Sequence, residues 1–475
     1  MRLVQEREDR FEVDPDWVLP PILGLVPEGG SLDQKVRRLE DTYFDTPGAG
    51  LRVFGVSLRR RVGGSETGWQ LKVPNGTART ELQSGSRTKR LPPALAKVVA
   101  GLRAGETLQP VAMIVTTRTA HRLIDLDGEF VLQIADDQVE SGPADGESTL
   151  HSWREVDVKL GPAGKKEDLK RTGKLLRAGG ATPNTTRTKL DRALGPTLPD
   201  RPVEPSTVGE LVVAYVAAQC DVLASNDVGL RTGVPEVHQT RVAARRLRST
   251  LRIFGDVVDA APGEELNDEL AWYAELLGQV RDRDVLSRRL TELIADLPVD
   301  QVRGPVEAEI ATTLATERDG AIQRLNEAMR TGRYQHLMRL LRGWKTAPPL
   351  SDTADAEVEA ATRYVKEAKR KAYERLRRAG GDPERLHRAR RAFKRARYAA
   401  ELVEPADNQM KGIARDAKEL QTLLGEHQDC MVAADFLARL SSAGNGETGE
   451  SAFTYGVLMA NELHRAADIR ESLRN

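Results

Sequence analysis

The stretch "HQTRVAARRLR" runs from His238 to Arg248, and "HRARRAFKRAR" runs from His387 to Arg397. Both open on histidine, carry arginine three positions later (Arg241, Arg390), a base at the seventh (Arg245, Lys394) and arginine at the tenth (Arg248, Arg397). These spacings return to one face of an α-helix, so each stretch predicts a helix with a basic ridge, and Arg252 extends the first. The resemblance between the two goes beyond the ridges. His387 minus His238 and Tyr364 minus Tyr215 are both 149, and "LLGQVRD" (Leu276 to Asp282) recurs as "LLGEHQD" (Leu423 to Asp429) at an offset of 147. Three anchors at nearly one offset predict a duplicated helical unit.

Outward from these anchors, the chain from Val212 onward shows helical apolar spacing and no strand signal, as in "GAIQRLNEAMR" and "MKGIARDAKELQTLLG". The first 160 residues read differently. Short alternating runs such as "VSLRRRVGGSETGWQLKVP", "FVLQIADDQVE" and "WREVDVKL" are broken by Gly, Pro and Asp, which predicts antiparallel strands. The helical pattern "KEDLKRTGKLLRAGG" follows and stops on a glycine pair. "LGPTLPDRPVEPSTVGE" then concentrates prolines and reads as a linker. The expected organisation is a domain at 1–195, a linker at 196–210 and an all-α domain at 211–475 with repeat halves near 211–345 and 355–475.

The chain has 475 residues, more than a single typical core, and its 71 basic residues balance 71 acidic ones. With zero net charge and 30% charged residues, local segregation of charge is the informative quantity. Cys220 and Cys430 lie far apart, which argues against a disulfide framework or a zinc site and fits a reducing cytosol. "MRLVQEREDRFEVD" has no apolar targeting core, and runs such as "LVVAYVAA" are too short to cross a bilayer. A cytoplasmic, non-membrane protein is expected.

Neither basic ridge contains an acid, and "RYVKEAKRKAYERLRR" adds Lys366, Lys369, Arg370, Lys371, Arg375, Arg377 and Arg378. Such crowding faces water, internal carboxylates or an anionic ligand. Recurrence after duplication favours the ligand, because a polyanion supplies counterions and guanidinium forks match phosphate oxygens. Nucleic acid is the competing polyanion, but aromatics are only 4% of residues and none is interleaved as a stacking platform. The histidines read equally as phosphate donors or as satisfied core groups.

On these motifs, residues from about 205 to 475 resemble the CHAD domain. The resemblance implies two similar helical bundles whose basic surface binds inorganic polyphosphate. That surface comprises His238, Arg241, Arg245, Arg246, Arg248 and Arg252 in one half, with Lys366, Arg370, His387, Arg390, Arg391, Lys394, Arg395 and Arg397 in the other.

In the first half, strand alternation puts Glu6, Glu8 and Arg10 on one face, and likewise groups Arg59 with Arg61, Gln70 with Lys72, Arg79 with Glu81, and Glu155 with Asp157 and Lys159. Alternating charges suit a solvated sheet face. They also suit a closed barrel in which acids collect divalent cations and bases collect phosphates. The order of "EREDR", "YFDT", "SLRRR", "WQLKVP", "RTEL", "IADD", "REVDVKL" and "TKL" over residues 1 to 195 resembles the CYTH family of triphosphate tunnel enzymes.

The combined resemblance implies an α+β protein: an N-terminal antiparallel eight-stranded β tunnel with helices, followed by an all-α domain of two repeated bundles. It further implies hydrolysis of inorganic triphosphate with Mg²⁺ or Mn²⁺. Glu6, Glu8, Asp137, Glu155 and Asp157 would hold metal, and Arg59, Arg61, Lys72, Arg79, Arg118 and Lys189 would cradle phosphates. Glu6, Glu8 and Arg10 are the catalytic candidates, with Arg10 where the family has its signature lysine. Thr116 stands where a second base often accompanies Arg118, and Lys159 where a third acid is frequent. The alternative is a non-catalytic protein that targets polyphosphate granules. A nucleotide cyclase would require a base-reading site, and none is visible.

Overall fold

The computed structural model describes residues 2–6, 8–64, 67–75, 78–144, 151–184, 188–198, 204–233, 236–442 and 450–473, with the backbone alone described at 2–6, 75, 78 and 79. The chain forms two compact units, 1–200 with 227–232, and 201–226 with 233–475.

The first unit is built on one antiparallel sheet. Its strands are β1 (Arg2–Glu6), β2 (Glu8–Val13), β3 (Ser31–Asp45), β4 (Ser57–Val62), β5 (Gly68–Asn75), β6 (Ala78–Ser84), β7 (Gln109–Ile124), β8 (Phe130–Gly142), β9 (His151–Leu160) and β10 (Thr182–Pro183). The hydrogen-bonded order is β1-β6-β5-β4-β3-β7-β8-β9-β2-β10. The eight strands expected are therefore ten strand segments. β1 pairs with β6 and β2 with β9, yet only residue 7 separates β1 from β2, so one stretch of chain bridges both ends of that order.

Period-two alternation gives the strands opposite faces of opposite chemistry. Phe11, Leu132, Ile134, Val156 and Val158 point one way and pack under Leu169 and Leu176 of α2 (Lys166–Ala178). The other face carries Glu8, Arg10, Gln133, Asp137, Glu155 and Asp157, an inversion of the usual oily interior. At one end that face turns apolar. Tyr43, Ala112, Ile114, Val139 and Trp153 pack against Leu190 and Ala193 of the short helix α3 (Lys189–Leu194). A further short helix, α1 (Pro93–Val98), interrupts the strands.

The second unit is helical: α4 (Val208–Thr232, whose residues 227–232 count with the first unit), α5 (Val237–Ile253), α6 (Ala260–Ala295), α7 (Val306–Ala328), α8 (Gly332–Thr346), α9 (Ala361–Arg377), α10 (Pro383–Val403), α11 (Met410–Ser442) and α12 (Glu450–Ser472). The expected linker at 196–210 overlaps α4, because Thr207 accepts from the Glu210 backbone while Glu210 accepts from the backbones of Ser206 and Thr207. Residues 199–203 of that linker lie outside the described residues.

"LVVAYVAA" is likewise part of something longer. α4 is long and apolar enough, by length and composition, to cross a membrane, but 56% of its apolar window is buried inside the structure. The two ridge stretches are α5 and α10, which pack on each other, and the two "LLG" motifs lie in α6 and α11. One cluster of buried side chains joins Leu290 of α6 and Ile310 of α7 to Phe436 of α11 and Leu458 of α12. Helices from both sides of residue 350 thus share a core.

Candidate functional site

In the sheet unit, β9 supplies Glu155 and Asp157 from alternate positions, and β8 supplies Asp137 in register with Glu155. One carboxylate oxygen from each lies within 4.8 Å of the others. Crowded, buried like charges require cations close by. Arg118 of β7, in register with Asp137, donates to it at 2.7 and 2.6 Å and to Asp157 at 3.3 Å.

Lys189 is the first residue of α3, where Thr188 accepts from the Asp191 backbone as the cap. Its Nζ donates to Asp137 at 2.8 Å and to Glu155, and lies 3.6 Å from Asp157. Burial alone would raise the Asp137 carboxyl, but Arg118 and Lys189 hold it well below the usual carboxylate range. Asp157 is instead pushed up, chiefly by burial; Lys189 opposes the rise, while Glu155 and Asp137 add to it. Asp157 Oδ1 is buried and has no hydrogen-bond partner.

Opposite this trio stand bases that their neighbours hold in place. Asp41 of β3 is fully buried and lies in register with Arg61 of β4, which grips it at 2.8 and 2.7 Å. Arg59 Nη1 lies 3.4 Å from Asp41 and donates to the Tyr43 hydroxyl at 3.0 Å, while Nε donates to Gln70 at 2.8 Å. Burial works to raise the Asp41 carboxyl, yet Arg59 and Arg61 win and bring it to about 2. Lys72 sits 3.3 Å from Glu81, and Arg10 donates to Glu8 at 2.8 Å.

Of the expected residues, Glu8, Arg10, Arg59, Arg61, Lys72, Arg118, Glu155, Asp157 and Lys189 line one cavity of about 120 Å³, with Asp137 buried beneath Arg118 and Lys189. Among the described residues, Asp137, Glu155 and Asp157 bring their carboxylates together, while Glu8 lines the same cavity and accepts from Arg10. Glu6 and Arg79 pair across β1 and β6 by backbone, but their side chains lie outside the described residues. Lys159 faces the cavity, and Thr116 is buried with its hydroxyl unpartnered. Asp41 is the residue that sequence reading missed. Its alternation with Tyr43 and Asp45, opposite "LRRR", was the available signal.

The helical unit answers why two motifs repeat together. Arg241 of α5 lies over Gly278 of α6, where an added Cβ would sit 3.2 Å from Nη2, and donates to Asp282 at 2.7 Å. Arg390 of α10 lies over Gly425 of α11, where an added Cβ would sit 3.1 Å from Nη2, with Asp429 at 3.9 Å. Each "LLG" motif thus offers a bare helix surface for an arginine and, one turn on, a carboxylate to anchor it.

Two cavities of about 510 and 500 Å³ meet along the touching helices α5 and α10, sharing Arg245, Arg391 and Lys394. The first holds His238, Arg241, Arg390, Asp282 and Asp429 as well; His387 also lines it, within 2.9 Å of Gln428. The second is lined by Arg248, Arg252, Arg375, Arg378, Arg385, Arg388 and Arg395 and, among the described residues, by no carboxylate. Bases crowd together here, with Arg388 3.8 Å from Glu384. Burial and neighbouring bases push Arg395 down to about 10 and Lys394 down to about 6. Burial, followed by nearby arginines, also lowers His238; burial lowers His387 too, with nearby bases adding to it, against the hydrogen bond that its Nδ1 donates to Gln428.

Four expected polyanion residues lie elsewhere. Arg246 and Arg397 both turn onto Glu401, each at 2.8 Å. Arg370 is engaged by Glu367 and Glu374 on the exposed face of α9, and Lys366 lines neither cavity. Arg385 and Arg388, one helical turn apart at the start of α10, and Arg281 of α6 are lining residues that the sequence reading passed over.

Residues 26–174 match the CYTH domain, and residues 214–438 match the CHAD domain. An uncharacterized protein of Mycobacterium tuberculosis is 31% identical over 491 residues, covering 98% of this chain and 94% of the relative. The chain is also similar to two solved structures. PptA from Streptomyces chartreusis shares 21% identity at a TM-score of 0.48, covering 57% of this chain and 98% of that one. The CHAD domain from the plant Ricinus communis shares 24% identity at a TM-score of 0.45, covering 59% and 96%.

Proposed function

The chain belongs to the CYTH-CHAD family, and from that premise we propose that its sheet unit hydrolyses the terminal phosphate of inorganic triphosphate while its helical unit binds inorganic polyphosphate. The observation that carries the first half is one cavity in which the pre-oriented bases Arg59, Arg61, Lys72 and Arg118 face a buried carboxylate trio.

Asp137, Glu155 and Asp157 suit a hard divalent cation: all donors are oxygens, and Asp157 Oδ1 is buried without a partner. Mg²⁺ or Mn²⁺ held there would supply Lewis-acid neutralisation of the terminal phosphates. The protein's own groups do the rest. Arg59, Arg61, Lys72 and Arg118 fix the triphosphate oxygens, and their ion pairs with Asp41, Glu81 and Asp137 keep them aimed without the substrate. A cavity carboxylate orients the attacking water. The new P–O bond forms in line as the bridging P–O bond breaks, and diphosphate leaves with the electron pair.

Polyphosphate binding rests on the carboxylate-free cavity of the helical unit, where a repetitive anion needs no base readout. We extend this to association with polyphosphate deposits in the cytoplasm. Phosphate release from triphosphate, ATP and thiamine triphosphate, with Mg²⁺ and with Mn²⁺, tests the hydrolase. Release from triphosphate that a chelator abolishes is expected; none with either metal would overturn it. One observation favours a binding-only protein. The Lys189 ammonium already neutralises the trio where a cation would sit. The same assay separates the two.

A further inference from the structure

Lys189 meets all three carboxylates of the trio. Its Nζ donates to Asp137 at 2.8 Å and to Glu155, and stands 3.6 Å from Asp157. An ammonium is a compact charge with its donors spread around one point, so among carboxylate oxygens it takes the position that a small cation would take. It fills that position incompletely. Asp157 Oδ1 stays buried without a hydrogen-bond partner, although Arg118 as well as Lys189 approaches that carboxylate.

The two bases at the trio are held in different ways. Arg118 grips Asp137 with two prongs, at 2.7 and 2.6 Å, which fixes the orientation of its guanidinium along with its charge. Lys189 is fixed by its backbone instead. The reciprocal Thr188–Asp191 cap starts α3, Leu190 is buried among Tyr43, Ile114 and Val139, and the Arg192 guanidinium lies 5.0 Å from the centre of the Trp153 ring. A flexible four-carbon stem separates that anchor from the ammonium. Lys189 lines the same cavity as Arg59 and Lys72, so its tip can leave the trio for another anion there while α3 stays in place.

Granted the metal site proposed above, we infer that Lys189 is its exchangeable counterion: the ammonium holds the carboxylate trio together, and a divalent cation binds only by displacing it. Cation and ammonium are like charges that compete for the same oxygens, so one leaves as the other arrives. Affinity of the trio for metal is lowered by the strength of the Lys189 ion pairs. In return, Asp137, Glu155 and Asp157 keep their spacing before metal arrives, and the displaced ammonium is released within the cavity where the phosphates are proposed to lie.

The test needs no turnover. Mn²⁺ is titrated at pH 8, in phosphate-free buffer, into full-length wild type, Lys189→Met and Lys189→Arg, with free Mn²⁺ read by electron paramagnetic resonance and a melting curve recorded for each chain. The helical units are identical, so differences among the three report the sheet unit. Lys189→Met is expected to bind Mn²⁺ at least about tenfold more tightly than wild type, and Lys189→Arg, which keeps the charge, no more tightly than wild type. Equal affinity of K189M and wild type overturns the counterion role and leaves triphosphate hydrolysis standing. Tighter binding by K189M, with no phosphate released from triphosphate by wild type, supports the counterion role and overturns the hydrolysis alone. In wild type itself, saturating Mg²⁺ should make Lys189 several-fold more reactive toward an acetylating reagent, as read by mass spectrometry, because an ammonium engaged by carboxylates offers the reagent no lone pair. An unchanged rate overturns the counterion role even where K189M fails to fold.

Discussion

Raising the pH from 7 to 8 is expected to weaken long-chain polyphosphate binding by nearly tenfold at fixed salt, and Lys394 sets that figure. It lies where the two helical cavities meet. Burial, then Arg245, Arg390 and Arg241, bring its pKa from 10.5 to about 6 against the pull of Asp429. At pH 7 such an amine is only about one-tenth protonated, and a polyanion laid across it restores the charge. Binding then takes up about 0.9 proton, and the logarithm of the association constant falls by about 0.9 for each pH unit. The free pKa is the low one and the bound pKa the high one, so affinity is fullest below about 6 and is lost as pH rises toward the bound value. His238 and His387 face the same cavity and are also lowered, so any protons they take up act in the same direction.

Folding of the unliganded chain follows the same linkage. Between about 6 and 10.5 the unfolded lysine holds a proton that the folded one has lost, so stability rises with pH across that window. Calorimetry in two buffers of different ionisation enthalpy counts the protons taken up on binding. Lys394→Arg keeps its charge at every pH and should remove most of the slope. Binding without proton uptake in wild type, or an unchanged slope in K394R, refutes the reasoning.

Gly278→Ala or Gly425→Ala should lift Arg241 or Arg390 off its helix and weaken polyphosphate binding by about three- to tenfold, while alanine's helix preference of about 1 kcal/mol keeps the melting temperature from falling. A drop in melting temperature with unchanged binding would contradict this. Asp157→Asn removes a charge from the crowded trio, so triphosphate hydrolysis should fall by at least about 100-fold without loss of stability, as read by phosphate release beside a denaturant titration. Asp41→Asn strands Arg59 and Arg61 without their shared counterion and should cost about 3–5 kcal/mol in denaturant unfolding. In wild type the Asp41 contribution is present above the unfolded carboxyl pKa of 3.8 and is lost as pH falls through about 2, so acid unfolding of D41N should lack that component.

Alternation made Arg59, Arg61, Glu155 and Asp157 legible, because a two-residue period fixes which side chains share a sheet face whatever the strand pairs with. Partnership across strands was not legible in the same way. Asp41 enters the site only because the β3–β4 register sets it opposite Arg61, and register depends on where the intervening turn closes. Glu8 went the other way, since sharing a face with Arg10 brought it an ion pair and left it outside the trio. On the helices, the three-seven-ten spacing found the ridge but said nothing about what packs against it. Arg397 sits on that ridge, and Glu401 one turn later takes it out of the groove. Arg246 is one position off the ridge and meets the same glutamate across the α5–α10 contact. The eight-strand expectation came from the family resemblance, and the structure has β1 and β2 as separate segments and adds β10, two residues paired to Glu12 and Phe11.

That first stretch of chain also sets the order of assembly on the ribosome. Among the described residues β2 pairs with β9 and β10, so it waits roughly 140 residues of synthesis for its main partner, whereas the β3–β7 and β7–β8 ladders can zip up soon after emerging. Until β9 arrives, β2 offers an unpaired edge that a neighbouring nascent chain could capture. The charges that β2 carries toward the cavity, Glu8 and Arg10, then serve a purpose before any substrate is met. They make the waiting strand a poor template for aggregation. Slow synthesis between residues 84 and 160 would lengthen that exposure, and the last long ladder to form would be the one that brings Glu8 and Arg10 to Glu155 and Asp157.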